Sequence, residues 1–189
     1  MKKLSVAFVL IISSTIFSQT EEDQKIIGYT SAEEFLEYCE FTINLQKTFI
    51  ANNHVDSVLF EMNMHRNNNG VNPLTLDSTL CKVAELQSVH NARYDIVTHI
   101  NKQEDIKTLF LRASRFQVNN IYAEIATENH LNSVWIDKLT VSELIINNFA
   151  SSVSHNNIMI DSKVTKCGIS ITRSYTEPNK FYTIIVFAR

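Results

Sequence analysis

Chemistry in this chain has to come from residues scattered along it. The six histidines, His54, His65, His90, His99, His130 and His155, form no His-x-x-x-His or His-Glu-x-x-His pair, so no single helical turn offers two metal ligands. No Gly-x-Ser-x-Gly elbow is present to expose a nucleophilic serine. With only 3 glycines, phosphate-cradling loops are excluded. His155 raises the sharpest question. It lies in Phe149-Ala-Ser-Ser-Val-Ser-His-Asn-Asn-Ile-Met-Ile160, between small polar residues and an apolar run, at the end of what reads as a helix. It can be a core residue with its hydrogen bonds met, a helix-end cation, or one corner of a site built with distant residues. Ser152 and Ser154 beside it read as a serine-rich helix end. Three cysteines, Cys39, Cys81 and Cys167, include no Cys-x-x-Cys, so neither a zinc ribbon nor a thioredoxin-like site is implied. An odd count leaves at least one thiol free or paired between chains, and one bridge or none are equally open.

The compartment is read from the first residues. Met1-Lys2-Lys3, the apolar run Leu4 to Ile12 and Ser13 to Gln19 have the form of a secretory signal peptide (1–18), cut after Ser18. The apolar run falls short of the ~20 residues that span a bilayer, so the chain is expected to be exported, secreted or periplasmic, and not membrane-spanning once cut. Export permits a disulfide. The 189 residues are 44% hydrophobic and 20% charged, enough to bury a core of ordinary domain size. The formal charge is −3, from 17 basic and 20 acidic residues. Losing Lys2 and Lys3 leaves 15 − 20, or −5. With no basic run, nucleic acid is excluded as a partner.

Elements must then position the candidate residues. A polar stretch follows the signal. Ser31 and Glu34 have capping-box spacing, opening an imperfect apolar stripe through Phe35, Leu36, Cys39, Ile43 and Phe49. Residues 19–55 thus read as an N-terminal helical extension, and 56–189 as the main domain. Leu59, Phe60 and Met62 begin a helix that stops near Gly70, with Pro73 preventing continuation. Asp77 or Ser78 caps the next, whose buried side carries Leu80, Val83, Ala84 and Leu86 and which runs to about Ile96, placing His99 just past its end. Residues 119–127 fit a strand or an irregular buried run. Thr140 and Glu143 form another capping box. Residues 167–172 alternate, 181–187 are a near-continuous apolar strand, and 175–180 join them as a hairpin loop. Helices first and strands last argue for α+β.

At this point a pattern emerges. Asn63-x-x-Arg66-x-x-x-Gly70-x-x-Pro73-Leu74, then Asp77-x-x-Leu80-x-x-x-Ala84, then His99, resembles the CAP superfamily of cysteine-rich secretory proteins, antigen 5 and group-one pathogenesis-related proteins, in its bacterial form. Ala123-Glu124-Ile125 resembles the family's Ala-Glu-Asn step, Phe149-x-x-Ser152-x-x-His155 its Trp-x-x-Ser-x-x-His step, and Gly168 to Arg189 its closing Gly-x-Gly strand and aromatic hairpin. The departures are Phe149 for tryptophan, Ile125 for asparagine, Ser170 for the second glycine and Ile185 for the usual glutamine. Glu128-Asn129 is a competing match for the acidic step.

The resemblance implies a three-layer α-β-α sandwich with a central cleft, in which His99, Glu124 and His155 would meet. Some members bind zinc or another divalent ion there. Two imidazoles and a carboxylate suit Zn²⁺ and leave a fourth position for water, which the ion could acidify for hydrolysis. The same three residues could instead order the cleft through hydrogen bonds without metal. The favoured function is an exported module binding an extracellular or envelope ligand through this His/Glu-lined cleft. The alternative is a divalent-metal-dependent, peptidase-like hydrolase using Glu124 as base or ligand. A third reading has the N-terminal extension cover the cleft or dock on a partner. His54, His65, His90 and His130, in polar surroundings, are expected at the surface. Arg66, before Gly70, is expected to bond carbonyls or a carboxylate as an anchor, and Trp135 to lie in the core.

Overall fold

In a computed structural model the chain divides into Met1–Ala51 and Asn52–Arg189. The structure describes residues 54–131, 140–177 and 179–189. The expected signal peptide, nearly all of the N-terminal extension, Cys39 and Trp135 lie outside the described residues.

Helix α1 (His54–Asn68) ends where the sequence demands it. Gly70 takes φ +70, a left-handed conformation that only glycine adopts cheaply. The N–H of Val71 returns to Arg66 O at 3.0 Å. Asn63 on α1 then grips the outgoing chain twice, donating to Leu74 O at 3.0 Å and accepting from Leu74 N at 2.8 Å. Arg66 acts as the expected anchor. Fully buried, it donates to the carbonyls of Asn72 at 2.7 Å, Asp161 at 3.3 Å and Val164 at 3.2 Å, and to that of Met159. One guanidinium therefore ties α1 to the chain that enters the third strand.

Strand β1 (Thr75–Leu76) leads into α2 (Ser78–Tyr94). Asp77 caps α2 by accepting from Thr79 N at 2.9 Å and Leu80 N at 3.2 Å. The helix stops two residues short of the expected Ile96, because Asp95 turns left-handed at φ 52. A 3₁₀ turn (Glu104–Ile106) and α3 (Leu109–Arg115) follow. Strand β2 runs Ile121–His130, which resolves the ambiguity over 119–127 in favour of a strand. Thr140 and Glu143 form their capping box at the start of α4 (Val141–Ser151). Ser152 adopts extended backbone and breaks the chain into a second helix, α5 (Val153–Met159). His155 therefore sits within a separate short helix rather than at the end of the preceding one. Strands β3 (Lys166–Arg173) and β4 (Lys180–Ala188) complete the fold as an antiparallel hairpin.

The sheet order is β1-β3-β4-β2, with β1 parallel to β3 and the other pairs antiparallel. Strand β4 is buried along its whole length, which explains its continuous apolar sequence: each face meets a helical layer. Phe181, Ile185 and Phe187 pack with Val58 and Met62 of α1 and with Ile145 and Phe149 of α4. Ile184, Val186 and Ala188 pack with Leu80, Val83 and Ala84 of α2. The architecture is thus α+β, an α-β-α sandwich. Helix α2 lies close enough to β3 that a Cβ on Gly168 would fall 2.0 Å from Leu80 C and 2.3 Å from Cys81 N. Two residues on, Ser170 replaces the glycine of the resembled pattern. Helix α2 accommodates it with Ser88, whose hydroxyl bonds those of Ser170 and Thr172, both at 2.8 Å.

Candidate functional site

His99 lies on the irregular connection between α2 and α3, so side chains must hold it in place. The inner face of α2 begins apolar at Leu80 and Ala84 and continues one heptad later with Gln87 and Asn91, both buried. Gln87 donates to Thr98 O at 2.8 Å and to Asn91 Oδ1 at 2.9 Å, and Asn91 donates to Thr98 O at 3.1 Å. Asn101, also buried, reaches back to Leu86 O at 3.2 Å. His90 contradicts the surface expectation. It is only 6% exposed and accepts from the backbone N–H of Lys102 at 3.1 Å. Burial, foremost, holds its pKa below the usual 6.5, and Lys102 and Arg112 add to the effect against the hydrogen bond that His90 Nδ1 donates to Asn91 Oδ1. A buried polar stripe on α2 is thus the scaffold of the His99 connection.

Helix α3 supplies the second support. Arg112 is fully buried. Its Nη1 faces the carbonyls of Ile106 at 3.3 Å and of His99 and Lys107 at 3.4 Å. Its Nη2 donates to Glu124 Oε2 at 2.7 Å. Glu124 pairs in register with Val186 of β4, and directly opposed residues share a face, so its carboxylate points into the α2/α3 layer. The other oxygen, Oε1, accepts from His99 Nδ1 at 2.9 Å. The His99 side chain is 50% exposed and that of Glu124 only 2%. A buried carboxylate therefore fixes the orientation of a half-exposed imidazole and leaves its Nε2 as the ring nitrogen not engaged with Glu124.

Of the three residues singled out from sequence, the structure joins His99 and Glu124 directly. His155 stands on α5 in the opposite layer, its ring edge-on to Phe149 with centroids 5.5 Å apart. Burial, foremost, and then the charge of His99 lower its pKa. Glu128, the competing acid, pairs instead with Lys180 at 3.2 Å, beside Asp95 at 3.3 Å. His65 is also more engaged than expected, meeting Asn156 at 2.7 Å and linking α1 to α5. His54 is partly buried, with its pKa lowered by burial, while His130 is exposed as expected. Sequence reasoning missed Arg112, Gln87 and Asn91. The signal for the last two was their continuation of the Leu80/Ala84 stripe. For Arg112 it was a single cation inside Leu109-Phe-Leu-Arg-Ala113.

Among the described residues, no three His, Cys, Asp or Glu side chains converge as a metal-holding group. The donor set itself fits a divalent ion poorly: both oxygens of Glu124 are engaged, one of them by a buried cation. His99 and His155 alone fall below the three protein ligands of a catalytic zinc site. Cys81 and Cys167 are free thiols. Burial, foremost, pushes Cys167 up to about 12, so neither a thiolate nucleophile nor a thiolate ligand is available there. A cavity of ≈ 340 Å³ opens at the N-terminal end of α2, lined by Asp77, Thr79, Lys166 and residues 116–120, and none of the three singled-out residues lines it.

Exposed apolar side chains flank His99 along the chain. Ile96, Val97 and Ile100 on the connection, Tyr94 at the end of α2, and Phe110 and Leu111 on α3 are all exposed. Lys102 Nζ lies 3.5 Å from the centroid of the Tyr94 ring.

Residues 59–187 match the CAP family, described as the cysteine-rich secretory protein family. Among solved structures, the chain is similar to an outer surface protein of Borrelia burgdorferi, with 16% identity, TM-score 0.54, and coverage of 72% of this chain and 93% of that one. It is also similar to an extracellular protein containing an SCP domain from Bacillus anthracis, with 16% identity, TM-score 0.53, and coverage of 71% and 39%. A cysteine-rich secretory protein of Staphylococcus aureus matches with 18% identity, TM-score 0.52, and coverage of 72% and 38%. The chain thus spans well under half of the latter two. No curated protein matches it.

Proposed function

The chain belongs to the CAP family, and from that premise we propose that it is an exported binding module that takes an extracellular or envelope ligand at the face around His99, with His155 flanking it. The observation that carries this reading is a half-exposed, rigidly oriented imidazole on a connection whose apolar Ile96, Val97 and Ile100 are exposed beside it in the chain. Polar groups held in place at the edge of apolar surface are what a recognition site needs. Export is supported by the form of residues 1–18 and by two structural neighbours described as outer surface and extracellular proteins.

Hydrolysis is the weaker reading because a general base must lie within reach of the proton it takes, and the Glu124 side chain is only 2% exposed. Glu124 spends one oxygen on His99 and the other on Arg112. The test is a titration of the mature chain with a pool of short apolar peptides, read by the imidazole NMR signals of His99 and His155. Saturable shifts that disappear in Ile100→Asp, with the peptides recovered intact, support the binding module. Cleavage of the same peptides that stops in chelator and in His155→Ala overturns it in favour of the hydrolase.

A further inference from the structure

We propose that Arg112 is the resident counter-cation of the Glu124 corner, filling with a side chain the charge position that the family resemblance gives to a divalent ion, so that His99 is set by protein groups alone. The first ground is occupancy. The guanidinium is fully buried and 2.7 Å from Oε2, and Oε1 is held by His99. An ion taking Oε2 would strand a buried cation without its partner, which is strongly unfavourable, and one taking Oε1 would displace His99. The second ground is that Arg112 does something no metal ion can. While one nitrogen meets Glu124, another faces the carbonyls of His99, Ile106 and Lys107. Evicting it from Glu124 would disturb the connection that presents His99. The third ground is the planar geometry of the group: a rigid fork serves a carboxylate and a cluster of carbonyls together, whereas lysine offers a single point charge. The buried carboxylate behind His99 resembles the outer-shell partner of a metal-bound histidine, but here its second oxygen is closed by an internal cation.

The inference shares His99 and Glu124 with the binding-module reading, yet its test involves no ligand, so each can fail without the other. Zinc is titrated by calorimetry into the mature wild type, Glu124→Gln, Arg112→Gln and the double variant. Beside this, the Arg112 guanidinium resonance of the wild type is followed by NMR. The expected result is no zinc uptake in the wild type that Glu124→Gln removes, and an unmoved, slowly exchanging Arg112 signal throughout. Arg112→Gln should gain a site of about one ion per chain, lost again in the double variant. If Arg112→Gln does not fold, the wild-type guanidinium signal still decides. Its broadening or shift at one equivalent of zinc overturns the proposal, as does wild-type zinc affinity that falls tenfold or more in Glu124→Gln. A folded Arg112→Gln that binds zinc no better than the wild type also overturns it.

Discussion

Glu124 and Arg112 meet at 2.7 Å with side chains 2% and 0% exposed, and the carboxylate reaches past this pair to hold a half-exposed His99. Removing the charge at position 124 should therefore act on stability first. Glu124→Gln leaves the guanidinium buried without its counter-charge and is expected to cost about 3–5 kcal/mol. Urea denaturation of wild type and variant at neutral pH measures this directly. An equal midpoint in the two would show that the pair contributes nothing.

Two of the glycines make a contrast. Gly168→Ala drives a Cβ to 2.0 Å from the backbone of Leu80, where no side chain can move aside. It should cost at least about 3 kcal/mol, the upper range for overpacking. Gly70→Ala meets nothing within 4 Å but must hold φ +70, so it should cost only about 1–2 kcal/mol. Paired thermal melts check the ranking, and a reversed order would contradict the close approach of α2 to β3.

Arg66 gathers four carbonyls from two stretches of chain, Asn72 and residues 159–164. Charged hydrogen bonds of this kind stabilise by roughly 1.5–3 kcal/mol each when a partner is lost, though not additively. Arg66→Leu should destabilise by at least about 3 kcal/mol, and Arg66→Lys should recover only part, since one ammonium cannot span the same set. Chemical denaturation of both variants tests the order.

His90 ties stability to pH. Burial lowers its pKa in the fold, so below 6.5 the unfolded chain binds the proton more readily than the folded one. The contribution is fully present above 6.5 and is lost as pH falls through the folded-state value. Protonation would also put a donor against the N–H of Lys102, which His90 now accepts. Denaturation midpoints at pH 7.5, 6.5 and 5.5 should fall on acidification, and His90→Asn should flatten the trend. An identical slope in the variant would remove His90 as its source.

What could be seen in the sequence was local chemistry. Asp77 as a cap, the Thr140/Glu143 box, the stop at Gly70 and the doubly apolar β4 each depend on residues a few positions apart, and each appears in the structure. The resemblance added the layer order and singled out His99 and Glu124. What remained hidden depends on which distant segments meet. Glu124 and Glu128 are four apart on one strand and so project from the same face. Only the placement of Arg112 over one and Lys180 over the other distinguishes them. His90 looked like a surface residue because its neighbours are polar, yet those neighbours are buried to hold a loop that has no secondary structure of its own. The break at Ser152 has no glycine or proline to announce it.

The sheet order has a consequence for how the chain can be assembled in time. Strand β2 is complete at His130, yet its hydrogen-bonding partner β4 begins only at Lys180, and β3 joins β2 only through that same strand. Apart from the two-residue pairing of β1 with β3, no strands of the described sheet can zip up as the polypeptide is delivered from its N-terminal side until the stretch 180–188 arrives. Until then Glu124 and Arg112 have no frame in which to find each other. A chain built this way waits, and then closes its sheet in a late step dominated by contacts between distant segments, the regime in which folding is slow.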